Sequence, residues 1–132
     1  MIYADSSALL ELVCSESETA ALTAWLQDHP AVPVVSSVLA MVEVIRAARR
    51  LDATAVPGAR TLLVGVDLIP MAPAVIEAAG ALGDALRSLD AIRLASALSI
   101  RSYLSAFVAY DRHLTEAAQA EGLPCVAPGV LA

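Results

Sequence analysis

Four carboxylates stand in this sequence where carboxylates are costly. Asp5 follows Met1-Ile-Tyr-Ala directly, and Asp111 follows Ala106-Phe-Val-Ala-Tyr in the same way. Glu43 lies inside Val38-Leu-Ala-Met-Val-Glu-Val-Ile, and Asp90 opens the apolar stretch Leu89-Asp-Ala-Ile-Arg-Leu-Ala-Ser-Ala-Leu. A carboxylate on an apolar face must pair, bind a metal or take up a proton, because an isolated buried charge is too costly. Each acid alone has a bland explanation. Asp5 and Asp111 precede helical segments and are good N-caps. Glu43 has Arg46 three residues on, and Asp90 has Arg93 at the same spacing as well as a place in a first helical turn. Brought together they conflict. Each pair at ~4 Å repels by about 4 kcal/mol at an effective dielectric of 20. A hard divalent cation resolves that conflict, and the lack of any Cys/His cluster selects Mg²⁺ or Mn²⁺ over Zn²⁺.

The elements that must position these acids are short. Ile2–Ala4, Val32–Val35, Leu68–Met71, Ala106–Tyr110 and Cys125–Ala127 read as strands. Between them lie helical segments: Ser6–Val13, Ala20–Leu26, a Ser36- or Ser37-capped helix to about Leu51, and Ala59–Val64 after a break at Asp52–Pro57. Pro73 suits a helix start, and that helix is expected to continue to about Leu86 despite Gly80 and Gly83. Ser88 is expected to cap a helix to about Arg101, and Asp111–Glu121 makes the last one. Ser15 and Glu18 have capping-box spacing. Short apolar strands alternating with helices predict a three-layer α/β/α sandwich with a parallel sheet. In such sheets ligands bind beyond the carboxyl ends of the strands, where Asp5 and Asp111 fall.

The 132 residues fit one domain, 1–132, with 58% hydrophobic and 17% charged positions, so a folded core is expected. No segment has the apolar length of a membrane span, and no basic residue precedes Arg46, so a soluble cytoplasmic protein is expected. Cys14 and Cys125 are isolated and read as small core hydrophobes. The net charge is −6, and all eight basic side chains are arginine. A protein that binds nucleic acid through general phosphate attraction should be basic. Any nucleic-acid reading must therefore explain this acidity.

Four stretches resemble the PIN-domain family, specifically the VapC toxins of bacterial toxin–antitoxin pairs: Tyr3-Ala-Asp5-Ser-Ser-Ala-Leu-Leu, Ser36-Ser-Val-Leu-Ala-Met-Val-Glu43-Val, Leu89-Asp90-Ala-Ile-Arg-Leu-Ala-Ser-Ala-Leu and Val108-Ala-Tyr-Asp111-Arg-His-Leu. The resemblance runs the length of the chain. It implies a PIN-like parallel sheet with helices on both faces and an Mg²⁺- or Mn²⁺-dependent endoribonuclease that inhibits translation and growth. Asp5, Glu43, Asp90 and Asp111 match the family's acidic quartet, with Asp5 and Asp90 the first choices as direct metal ligands. Ser7 matches a hydroxyl that organises the site. Ala109 departs from the Thr or Ser often found there, which weakens hydrogen-bond support around Asp111. The implied partners are a cognate VapB-type antitoxin, an RNA substrate, a second copy in a homodimer, and a toxin–antitoxin hetero-oligomer.

Hydrolysis driven by activated water implies 5′-phosphate and 3′-hydroxyl ends. Arg112, beside Asp111, is a candidate RNA contact. Arg46, Arg49 and Arg50 share one side of the Glu43 helix, where they could touch RNA backbone or form a solvated face favoured by the helix end. A receiver domain and a haloacid-dehalogenase-type phosphatase both want a lysine that this chain lacks. A phosphate-binding loop is absent, and Gly80-Ala-Leu-Gly83 is too sparse for a dinucleotide fingerprint. The alternative is a catalytically inactive PIN-like scaffold that binds a protein or RNA partner. On the metal reading, Asp5→Asn or Asp90→Asn should leave the metal-free protein as stable as before, or more so.

Overall fold

The computed structural model describes residues 1–130. Five strands form one parallel sheet in the order β3-β2-β1-β4-β5. They are β1 (Ile2–Ala4), β2 (Val34–Ser37), β3 (Asp67–Ile69), β4 (Ala106–Val108) and β5 (Cys125–Val126). The helices are α1 (Ser6–Cys14), α2 (Thr19–Gln27), α3 (Leu39–Leu51), α4 (Val56–Val64), α5 (Pro73–Gly80), α6 (Ser88–Ser99) and α7 (Arg112–Ala120).

Alternation along the strands sorts the core onto two faces. Ile2, Ala4, Ala106 and Val108 pack with Leu9, Leu22, Val44 and Leu63 from α1 to α4. Tyr3, Val35 and Phe107 point the other way, into Leu94 and Leu114 from α6 and α7. Tyr3 and Phe107 stack with ring centroids 5.1 Å apart across the β1–β4 pair. Helix α5 packs outside on α6 through Val75, Ala79, Ala91 and Ala95. This is the three-layer sandwich expected. The chain leaves β1 towards β2 and β3, then returns to β4 on the other side. Between β1 and β4 the winding reverses, and a crevice must open there at the carboxyl ends.

Several expected boundaries move, each for a physical reason. Strand β2 begins two residues later than Val32, because Pro33 has no N–H to give to a ladder. The Pro33 carbonyl accepts from Ile2 N at 2.8 Å, and pairing then runs on to Ser37. Helix α5 stops at Gly80 instead of Leu86. Two glycines within four residues each cost about 1 kcal/mol in a helix. The chain turns instead, and Leu82 and Leu86 pack against the α5–α6 core. The Ser15–Glu18 capping box does not form. Ser15 ends α1 in the left-handed region at φ 50°, and Glu18 makes no side-chain cap to α2. Strand β4 ends at Val108, α6 ends at Ser99, and a short 3₁₀ turn at Ala53–Ala55 occupies part of the expected break. Both cysteines are free and half-buried, and burial raises both thiols above their ordinary value. No helix among the described residues is long and apolar enough to cross a membrane.

Candidate active site

Asp5 follows the last residue of β1 and caps α1. Its Oδ2 accepts from the Ser7 backbone N–H at 3.1 Å and from the Ser7 hydroxyl at 2.7 Å. The same hydroxyl oxygen accepts from Tyr110 N at 2.9 Å. Ser7 therefore ties the end of β1 to the chain just beyond β4, across the crevice. Asp5 is 3% exposed, and its other oxygen, Oδ1, has no hydrogen-bond partner. Burial is the largest influence on this carboxyl and raises its pKa, although the Ser7 bonds pull the other way. A desolvated, half-satisfied carboxylate is one that has room for a cation.

Asp90 and Asp111 arrive on helix starts, and Glu43 arrives one turn into α3. Ser37 at the end of β2 accepts from Leu39 N at 3.2 Å, which sets α3 so that Glu43 lies near its N-terminal end. Asp90 sits in the first turn of α6 and is 2% exposed. Asp111 caps α7, accepting from Leu114 N at 3.0 Å. Four helix N-terminal ends thus approach the crevice, and their partial positive charge favours anionic side chains there.

One arginine unites three of the acids. The Arg93 guanidinium donates to Asp90 Oδ1 at 2.6 Å, to Glu43 Oε1 at 3.3 Å and to Glu43 Oε2, and its Nε lies 3.7 Å from Asp5 Oδ1. Arg87 donates to the second oxygen of Asp90 at 3.2 Å and reaches Asp111 Oδ2 at 3.9 Å. Asp5, Glu43 and Asp90 therefore meet around Arg93. Asp111 stands at the margin, tied to its helix cap. Arg93 was legible as a partner of Asp90, but its hold on Glu43 and Asp5 was not, since that needs helices α3 and α6 to meet. Arg87 was overlooked, although it precedes Asp90 by the same helical interval.

Two expectations are corrected here. First, mutual repulsion does not by itself demand a metal, because Arg93 already stands among the acids. Among the described residues no three His, Cys, Asp or Glu side chains are grouped closely enough to clasp an ion directly. Second, Asp90 is held by two arginines, so Asp90→Asn should destabilise the metal-free protein. Asp5, with its orphaned oxygen, still fits the earlier reading. Glu43 turns to Arg93 and not to Arg46. Arg112 is exposed and pairs with Glu116 at 3.1 Å along α7, and Glu116 lines a cleft shared with Arg87 and Asp90.

The donor set nevertheless suits a divalent ion. Four carboxylates against two guanidiniums leave a formal charge of −2, the ligands are hard oxygens, and Asp5 Oδ1 is buried and accepts no hydrogen bond, with Arg93 Nε 3.7 Å away. Two further buried hydroxyls, of Tyr3 and Ser36, also lack partners. The Asp5 charge acts on Tyr3, raising its hydroxyl pKa after burial has done so.

An acidic crevice at the reversal of a β3-β2-β1-β4-β5 parallel sheet, helices on both faces, is the PIN-domain arrangement. A family model described as PIN domain matches residues 2–120, and the chain belongs to this family. Within it, the resemblance is to the VapC group. The chain is 41% identical to Ribonuclease VapC47 of Mycobacterium tuberculosis, covering 99% of both proteins. It is 40% identical to Ribonuclease VapC35 of the same organism over 98% of both, and 38% identical to Ribonuclease VapC46 over 96% of this chain.

Proposed function

We propose that this protein is an endoribonuclease dependent on Mg²⁺ or Mn²⁺, the toxin of a toxin–antitoxin pair. The observation that carries the reading is the buried Oδ1 of Asp5, which accepts no hydrogen bond, set with Asp90 and Glu43 around Arg93 in a crevice of net negative charge. Asp5 and Asp90 would hold the cation, with Glu43 and Asp111 completing or orienting its surroundings. When bound, a divalent cation supplies positive charge to the scissile phosphate and acidity to an adjacent water.

The chain's own residues do the positioning. Ser7 fixes Asp5 through Oδ2, which leaves Oδ1 as the atom able to accept a proton or a cation. Arg87, largely exposed at the mouth, bridges Asp90 and Asp111 and is free to move towards a phosphate oxygen. Arg93 holds Asp5, Glu43 and Asp90 in register, and a cation bound by these acids would compete with its guanidinium. The names of the relatives support an antitoxin partner, and a basic antitoxin segment would complement the acidic surface. Growth inhibition follows from cleavage of an RNA needed for translation.

One observation favours the alternative of an inactive scaffold. Arg93 already compensates Asp5, Glu43 and Asp90, so the acids could be structural. The deciding experiment incubates short end-labelled RNA with the protein in Mg²⁺, Mn²⁺ or EDTA and maps the ends. The proposal expects metal-dependent cleavage leaving 5′-phosphate and 3′-hydroxyl ends, lost in Asp5→Asn. Cleavage unaffected by EDTA, cyclic-phosphate ends, or no cleavage in either metal overturns it.

A further inference from the structure

The eight arginines divide into two groups. Arg87, Arg93, Arg101 and Arg112 each have a carboxylate within 4.0 Å. Arg46, Arg49, Arg50 and Arg60 are all exposed, and among the described residues none makes a side-chain hydrogen bond or ion pair. All four unpaired arginines belong to α3 and α4. Residues 39–64 carry four arginines and two acids, a net +2, which leaves −8 for the rest of a −6 chain. Residues 87–103 are also net +2, but their three arginines are all engaged with carboxylates, so the free positive charge of this acidic protein lies in the unit that delivers Glu43 to the crevice.

Their placement is directional. At 100° per residue, Arg46 and Arg50 lie about 60° and 20° around the helix from Glu43, on the same side. Their Cα atoms stand about 4.5 and 10.5 Å from that of Glu43 along the axis. Arg50 also lines the cleft between α3 and the end of α1, with Leu10, Cys14 and Glu16. The negative end of the helix accounts for Arg49 and Arg50, which lie in its last turn, but not for Arg46 in mid-helix. Nor is Arg46 spent on Glu43, whose carboxylate is taken by Arg93.

We propose that Arg46 and Arg50 form a phosphate-binding track along α3 that leads single-stranded RNA away from the crevice over the next one or two nucleotides. The proposal rests on the ribonuclease reading and names where its substrate lies. The chain as a whole is acidic, and this stripe offers a polyanion exposed guanidiniums that no carboxylate already holds. Arg49 and Arg60 widen the positive field around it.

The test measures binding of a short fluorescein-labelled single-stranded RNA in EDTA as salt is varied between about 50 and 200 mM. Wild type is compared with Arg46→Gln/Arg50→Gln and with Arg101→Gln, a control that removes charge near Glu121, remote from α3. Melting curves confirm that these exposed helix substitutions leave the fold intact. Each lost phosphate contact should lower the slope of log K against log salt by about 0.7 and weaken binding about fivefold at 0.1 M salt. The double variant should therefore bind about 25-fold more weakly, and Arg101→Gln should match wild type. Equal affinity and slope for wild type and the double variant overturn the track. If wild type still cleaves RNA in metal, the ribonuclease reading survives that result. An equal loss in Arg101→Gln also overturns the track, because net charge and not position would then govern binding. Weaker binding of a polyglutamate peptide with RNA binding unchanged would assign the stripe to an acidic protein segment instead.

Discussion

Replacing Arg93 by Met removes the one group that touches Asp5, Glu43 and Asp90 together, while keeping most of the side-chain volume. The Arg93 side chain is 14% exposed, and those of Asp5 and Asp90 are 4% and 2% exposed. Removing one partner of a buried ion pair costs about 3–5 kcal/mol, because the remaining charge is stranded. Glu43, 27% exposed, is partly rescued by water and adds little. In EDTA at neutral pH the variant should therefore melt about 10–20 °C below wild type, at roughly 3–5 °C per kcal/mol for a chain of this size. Acidification neutralises the stranded carboxylates, so the deficit should shrink as pH falls towards the ordinary carboxylate range. Saturating Mn²⁺ should raise the melting temperature of the variant more than that of wild type, since the cation then has no guanidinium to displace. The assay is differential scanning fluorimetry across pH, with and without metal. An Arg93→Met protein as stable as wild type in EDTA at neutral pH would refute the view that Arg93 is the internal counter-ion.

Asp5→Asn gives a second check through pH. Burial lifts the Asp5 carboxyl above its unfolded value, so the folded state holds the proton more tightly. Its contribution to stability in EDTA is then present below the unfolded pKa and is lost as pH rises through the raised folded value. Urea unfolding at several pH values should show that dependence in wild type and a flatter profile in Asp5→Asn. Ser7→Ala removes the bridge from Asp5 Oδ2 to Tyr110 N and leaves a polar N–H unpaired. It should cost about 1–3 kcal/mol in urea unfolding and lower any metal-dependent cleavage as well. Tyr3→Phe deletes a buried hydroxyl without a partner, so it should leave stability unchanged or raise it by about 1 kcal/mol. A large loss would show that the Tyr3 hydroxyl bonds to something at the floor of the crevice.

The sheet was legible because its strands are short apolar runs, two of them followed closely by Asp5 and Asp111, although Pro33 was read inside β2 and stands just before it. The positions of the acids were legible for the same reason, since a charge at the end of an apolar strand can only face the edge of the core. What local sequence cannot reveal is which distant side chain fills the space between them. Glu43 and Arg93 are 50 residues apart and meet only because α3 and α6 flank the same strand ends. Nearest-neighbour reasoning therefore offers Glu43 only Arg46, its helical neighbour, as a bland partner and does not reach the longer partnership. The end of α5 was misplaced for a related reason. Leu82 and Leu86 continue an apolar pattern, but they bury it from a turn, against α6, once the glycines have let the helix go.

A titration of Mn²⁺ followed by loss of its free-ion electron paramagnetic resonance signal bears most directly on the metal centre. Saturable binding by wild type, abolished in Asp90→Asn and strengthened in Arg93→Met, is the expected result. Absence of binding in wild type, or equal binding in Asp90→Asn, would mean that these carboxylates serve the fold and not a cation.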